Sequence, residues 1–206
     1  MKVYNIEVAP IGTNCYVAVN EDNKEAVVVD PGGSPELISN LINELGVQVK
    51  AIFLTHGHMD HIGALAEIKD LTKATIYVSK EDAPMLANPH SSLAAMFGTD
   101  LHCPPPDKFY GQGDVVTEAG LTFKILATPG HTPGGVCIVH DDVVFCGDTI
   151  FCESIGRTDF PGGSYTELVA SIKAKLLVLN PETKLLPGHG PSTTVDWEKR
   201  RNPFLQ

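Results

Sequence analysis

Seven residues, Thr55-His56-Gly57-His58-Met59-Asp60-His61, constrain this chain more than any other stretch. They follow an apolar run, Ala51-Ile52-Phe53-Leu54, that reads as a buried strand. They precede Ile62, Leu65, Ala66, Ile68 and Leu71, whose spacing predicts a helix. Three imidazoles and one carboxylate therefore crowd a strand-to-helix turn, exposed at its tip and held at both ends. A core has no use for so much histidine, and a solvated turn is normally built from Ser, Asn or Asp. Metal binding uses all four groups, because imidazole nitrogen with carboxylate oxygen suits zinc, and also iron or manganese. Gly57 is expected to let the backbone bend between His56 and His58, which can converge on one ion. Asp60 and His61 lie past the bend and are better placed for a second.

Three more candidate ligands sit at strand ends, each beside glycine: His131 in Pro129-Gly130-His131, Asp148 in Cys146-Gly147-Asp148, and His189 in Gly188-His189-Gly190. The remaining elements fall into two similar batches. Lys2 to Val8, Thr13 to Val19 and Ala26 to Val29 read as strands. A helix should follow, with Ser34 as N-cap, Pro35 at its first position, a buried face of Leu37, Ile38, Leu41, Ile42 and Leu45, and a stop at Gly46. Strand pairs over 114–118, 121–127, 136–140 and 143–147 lead to a helix opening at Ser164, three residues before Glu167. Its apolar face is Leu168, Val169, Ile172, Leu176 and Leu179. Two batches of strands and helices predict two packed sheets with helices outside, in one domain spanning 1–206. Prolines 84, 89 and 104–106 break up residues 84–109, which read as an irregular loop, either a lid over the site or a plain connection.

The net charge is −10 with no basic run, which argues against nucleic acid as a partner. No stretch approaches transmembrane length and the N-terminus lacks a signal-peptide core, so the expected location is the cytoplasm, off the membrane. The five cysteines are odd in number and lack CxxC spacing, as expected of reduced thiols. If Asp141-Asp142 is a two-residue turn, Cys137 faces Cys146, as packed thiols rather than a disulfide. His90, His102 and His140 have no ligand-type neighbours.

The pattern HxHxDH followed by single His, Asp and His resembles the metallo-β-lactamase superfamily along nearly the whole chain. The resemblance implies an αββα sandwich of two mixed sheets with helices on the outer faces. It implies that His56, His58 and His131 hold one divalent ion, that Asp60, His61 and His189 hold another, and that Asp148 bridges them. It also places Asp30 behind the site. Asn14-Cys15-Tyr16, Asp30-Pro31-Gly32-Gly33, Gly156-Arg157-Thr158-Asp159-Phe160 and Asn202-Pro203-Phe204-Leu205 are similar to short glyoxalase II-like hydrolases. That subgroup implies hydrolysis of a thioester such as S-lactoylglutathione, an anionic acyl-thiol, by a hydroxide between two ions, zinc first, with Asp60 orienting it. The longer glyoxalase II enzymes carry a further helical domain with no counterpart here. Mono-iron persulfide dioxygenases share the HxHxDH pattern and a stretch like 156–160, and are the alternative. Arg157 either holds a substrate carboxylate or pairs with Asp159. Oligomeric state is not legible.

Overall fold

Alternation along the strands sorts the apolar side chains into three cores. The computed structural model describes residues 1–206. One sheet runs β1 (Lys2–Val8), β2 (Thr13–Asn20), β3 (Glu25–Val29), β4 (Gln48–Phe53), β5 (Thr75–Ser79), β6 (Lys108–Tyr110), in that spatial order. β1 to β3 pair antiparallel and β3 to β6 parallel. The second half of the chain contributes β7 (Val115–Glu118), β8 (Leu121–Ala127), β9 (Val136–His140) and β10 (Val143–Gly147). A small hairpin of β11 (Ile150–Phe151) and β12 (Ser154–Ile155) precedes β13 (Lys184–Pro187) and β14 (Thr193–Thr194). The second sheet is ordered β14-β13-β10-β9-β8-β7, with only the β10–β13 pair parallel.

In β2 the odd residues Cys15, Val17 and Val19 face one core and Tyr16 and Ala18 face another. The first core lies between the first sheet and helices α1 (Pro35–Leu45) and α3 (Leu65–Thr72). The second lies between the sheets, around Phe53, whose ring centroid is 5.1 Å from that of Phe123 and 5.2 Å from that of Tyr77. The third packs the second sheet against α4 (Tyr165–Ser171), which continues through a π-helical turn at Ile172–Leu176, and against α5 (Val195–Arg201). The order of layers is helix, sheet, sheet, helix, as the resemblance implied, and both sheets are mixed. No helix is long and apolar enough to cross a membrane.

Several local expectations change in the structure. The cluster does not sit wholly in a turn, because Asp60 and His61 lie in a one-turn helix, α2 (Met59–Ile62). That helix breaks at Gly63, where an added Cβ would meet the Gly32 carbonyl at 2.3 Å, and Ala64 N–H donates instead to Pro31 O. Ser34 precedes α1, but its left-handed backbone turns the hydroxyl away from the helix, and it accepts from Ala9 N–H at 3.1 Å. Leu37 and Leu71, expected to be buried, are half exposed because each lies at the edge of its helix's apolar stripe. The stretch over 84–109 is largely irregular, as expected, with short 3₁₀ turns at Ala83–Ala87 and Ala94–Phe97. Cys137 and Cys146 lie side by side on β9 and β10, with Cys137 Sγ 3.7 Å from Cys146 O, and all five cysteines are free thiols.

Candidate metal centre

The C-terminal ends of β3, β4, β8, β10 and β13 meet at one edge of the sandwich, and each delivers a polar side chain there. β3 ends at Asp30, β4 leads to the His56–His61 cluster, and β8, β10 and β13 lead to His131, Asp148 and His189. At this edge the two sheets are joined by a bridge between Thr13 and His189, by Asn14 N–H donating to Gly188 O at 2.7 Å and by Val136 N–H donating to Thr55 O at 2.9 Å. All seven residues singled out from the sequence converge. His56, His58 and His131 form one group, Asp60, His61 and His189 another, and within each the ligand atoms lie within 4.8 Å of one another. Asp148 sits between the groups, with Oδ1 3.3 Å from His61 Nε2 and Oδ2 3.5 Å from His131 Nε2. Oδ2 also lies 3.6 Å from His189 Nε2, so this one carboxylate reaches both groups.

Hydrogen bonds at the back of the rings fix which nitrogen faces inward. Thr55 Oγ1 donates to Asp30 Oδ2 at 2.6 Å, so it can only accept from His56 Nδ1–H at 3.1 Å. His61 Nδ1 donates to Asp30 Oδ2 at 2.9 Å, and His131 Nδ1 donates to Arg157 O at 2.7 Å. Each of these rings therefore presents Nε2 to the centre. His56 Nε2, His61 Nε2 and Asp148 Oδ1 are buried and have no hydrogen-bond partner. Buried polar atoms without partners are costly and rare, and here three point at one spot. That arrangement fits cations, and the mixed imidazole and carboxylate donors suit divalent first-row metals.

The family model of the metallo-beta-lactamase superfamily matches residues 8–189. The chain belongs to this superfamily. It is 40% identical to hydroxyacylglutathione hydrolase GloC of Haemophilus influenzae, over 98% of this chain and 98% of that protein. The crystal structure of the B3 metallo-beta-lactamase BLEG-1 is 38% identical, with a TM-score of 0.96 over 100% of both chains. The crystal structure of TTHA1623 in a di-iron-bound form is 35% identical, with a TM-score of 0.85 over 98% of this chain and 100% of that one. As a metallo-beta-lactamase superfamily hydrolase, the chain acts on small molecules.

In this superfamily member the two groups differ electrostatically. Burial, then the neighbouring imidazoles, push His56 far down and His58 down to about 3. Burial also works to lower His61, but the carboxylates of Asp60, Asp148 and Asp30 outweigh it and raise His61 well above an ordinary histidine. His189 is raised the same way: burial lowers it, but its hydrogen bond to the Asp60 carboxylate and the Asp148 charge outweigh burial. Asp60 and Asp148 are desolvated, yet His61 above all keeps both carboxyls below the usual range. Protons therefore compete far more for His61 and His189 than for His56 and His58.

Sequence reasoning missed the residues that hold this geometry. Asp82 is fully buried and accepts from Gly57 N–H at 3.2 Å, Thr132 Oγ1–H at 2.7 Å and Gly134 N–H at 2.7 Å. It thus ties the His56–His58 turn to the loop after His131. Thr13 Oγ1 donates to Asp60 Oδ2 at 2.8 Å. Asp30, in contrast, stands behind the site as the resemblance implied: its backbone is left-handed, φ 51°, and it accepts from Thr55 N–H at 2.7 Å. Gly57 is required for space rather than for backbone freedom: an added Cβ would lie 2.7 Å from Met85 Cβ. Gly188 is similar, since a Cβ there would lie 2.2 Å from Asp148 Oδ1. Arg157 pairs with Asp159 through Nε at 2.9 Å and Nη2 at 2.7 Å and stacks on Phe160 at 4.2 Å, while still lining the cleft. Leu93 and Phe97 also line that cleft, so the 84–109 segment forms part of its wall.

Proposed function

We propose that this hydrolase cleaves thioesters at a two-metal centre. His56, His58 and His131 would hold one ion, Asp60, His61 and His189 the other, and Asp148 would bridge them, with zinc first and iron or manganese as substitutes. The observation that carries the two-ion reading is the convergence of His56 Nε2, His61 Nε2 and Asp148 Oδ1, all buried and unpartnered. When bound, such ions supply Lewis acidity and a nucleophile at neutral pH. The chain's own residues orient the rest. Asp60, steadied by Thr13, accepts hydrogen bonds at the edge of the cleft and can orient a nucleophile there. Asp30 holds His61, and the Arg157 carbonyl holds His131, each keeping its ring's Nε2 forward.

The thioester assignment rests on what the cleft lacks. Among its twelve wall residues the only titratable side chain outside the seven is Arg157, which does not release a proton. The lack of a dedicated acid favours a leaving group that departs as an anion. A thiolate, from a thiol of pKa about 8.5, does so far more readily than an amide nitrogen. The likeness to GloC supports the same reading, with S-lactoylglutathione as a first substrate to try. The test is metal analysis of the purified protein beside assays with S-lactoylglutathione, a β-lactam, and glutathione persulfide under oxygen. Two ions per chain with thioester cleavage support the proposal. One iron with oxygen consumption and no thioester cleavage replaces it with the persulfide dioxygenase reading. Preferential β-lactam cleavage points to chemistry like that named for BLEG-1.

A further inference from the structure

The metal centre opens into a cleft of about 300 Å³, and six of its twelve wall residues are apolar: Ile11, Met59, Leu93, Phe97, Phe151 and Phe160. They frame the centre on several sides. Phe160 lies 5.6 Å from the His58 ring and 6.3 Å from the His131 ring. Phe151 lies 5.9 Å from the His189 ring, at the other end. Ile11 comes from the β1–β2 loop, two residues before Thr13, and Phe97 from the 3₁₀ turn 94–97. Both leave about half their surface in water, at 50% and 54% exposure. Leu93 holds a left-handed backbone, φ 67°, which a bulky side chain rarely adopts. Apolar surface kept in water at a cleft mouth stabilises a bound apolar group when it is covered.

The charges point the same way. Arg157 is the only Lys or Arg in the wall, and Asp159 already occupies its Nε and Nη2. Glutathione carries two carboxylates and an ammonium. One paired guanidinium cannot match both carboxylates. The wall's two carboxylates, Asp60 and Asp148, face the histidines and are not free for the ammonium. We propose that this cleft selects the apolar bulk of the acyl group of a thioester and largely ignores the charges of the thiol carrier. The substrate class is an acyl-thiol with a large apolar acyl group, with Ile11 and Phe97 as specificity-determining residues. The proposal rests on the thioester reading of the centre.

The experiment measures kcat/KM of the metal-loaded protein for four thioesters, acetyl and phenylacetyl groups each carried on glutathione and on N-acetylcysteamine. Burying the ring against these walls should favour phenylacetyl by roughly tenfold or more on either thiol. Glutathione should exceed N-acetylcysteamine by less than about tenfold, as one rim-exposed charge pair allows. The acyl preference should shrink by about threefold or more in Ile11→Ser and in Phe97→Ser, as loss of half-exposed apolar contact predicts. Both positions are exposed enough for the fold to survive, which a melting curve checks. An acyl ratio near one, or a glutathione preference of about a hundredfold, well beyond an exposed pair, overturns this inference and leaves thioester hydrolysis standing. A fully metal-loaded protein that cleaves none of the four overturns the thioester reading as well.

Discussion

Replacing Asp82 by asparagine should loosen one metal group and spare the other. The buried carboxylate accepts three hydrogen bonds, two at Oδ2 and one at Oδ1. An asparagine side chain of the same shape has one acceptor oxygen and one donor amide. Its best orientation keeps the oxygen on Gly134 N–H and turns the amide toward Thr132, whose hydroxyl can rotate to accept. Gly57 N–H then has no partner and faces a donor. An orphaned buried donor costs roughly 1–3 kcal/mol, and the two surviving bonds weaken on losing the charge. Relief from burying a charge, which pushes Asp82 up from its ordinary value, offsets part of this. The net cost is about 2 kcal/mol, which for a domain of this size lowers Tm by about 4–8 °C.

The functional consequence is more selective than the stability loss. Gly57 lies between His56 and His58, and Thr132 follows His131, so the strain falls on the group formed by those three histidines. Loss of such a supporting partner typically costs about 10–100-fold in metal affinity. Competition with a chromophoric chelator should show that drop at one site per chain, with the site of Asp60, His61 and His189 near its wild-type affinity. Melting of the metal-free protein separates the structural cost from the metal effect. A variant that melts within a degree of wild type and keeps both affinities would refute the reasoning. So would a loss confined to the Asp60 group.

Asp148→Ala removes the one carboxylate that faces both groups, so metal analysis should find both ions lost or bound independently, with hydrolysis abolished. Asp60→Ala removes one donor of the second group only. It should keep about one ion per chain on His56, His58 and His131 while thioester cleavage nearly vanishes, and retention of two ions would contradict this. Acidification should empty the second group first: the folded-state pKa values of His61 and His189 are raised, so protons displace metal there while His58, at about 3, and His56 stay neutral. Stepwise metal release followed from pH 8 to 5 checks the order, and simultaneous release would count against it. Phe53→Ala, at the centre of the inter-sheet core and within 6.0 Å of the Tyr77, Tyr110 and Phe123 rings, should cost about 3–5 kcal/mol in chemical denaturation.

The metal centre was legible because its donors are local signals. Each candidate stands at the end of an apolar run beside glycine or in the dense His56–His61 cluster, and chemistry alone makes that combination unusual. Apolar runs likewise marked the sheets, because burial on both faces of β2 and β3 leaves few polar positions. Asp82 was not legible. Lys80-Glu81-Asp82-Ala83-Pro84 reads as a solvated turn, and its burial depends on Thr132, fifty positions away. Helix edges were misjudged at Leu37 and Leu71 because periodicity marks a stripe but not how far the facing sheet extends.

The same contrast separates the chemistry of the centre from its substrate. The donors come from short motifs that superfamily members share, so the metal-binding reading follows from a few tripeptides. The cleft walls come from Ile11, from Leu93 and Phe97, from Phe151 and from Phe160, four segments brought together only by the fold. Only Phe160 falls in a recognisable motif, Gly156 to Phe160, and apart from Phe151 in β11 these residues lie in loops or a short 3₁₀ turn, where substitution costs little stability. Selection can therefore change the acyl group without touching the metal centre. A likeness to GloC or to BLEG-1 bears strongly on the centre and weakly on the walls, which is why the decisive measurements vary the acyl group and the thiol separately.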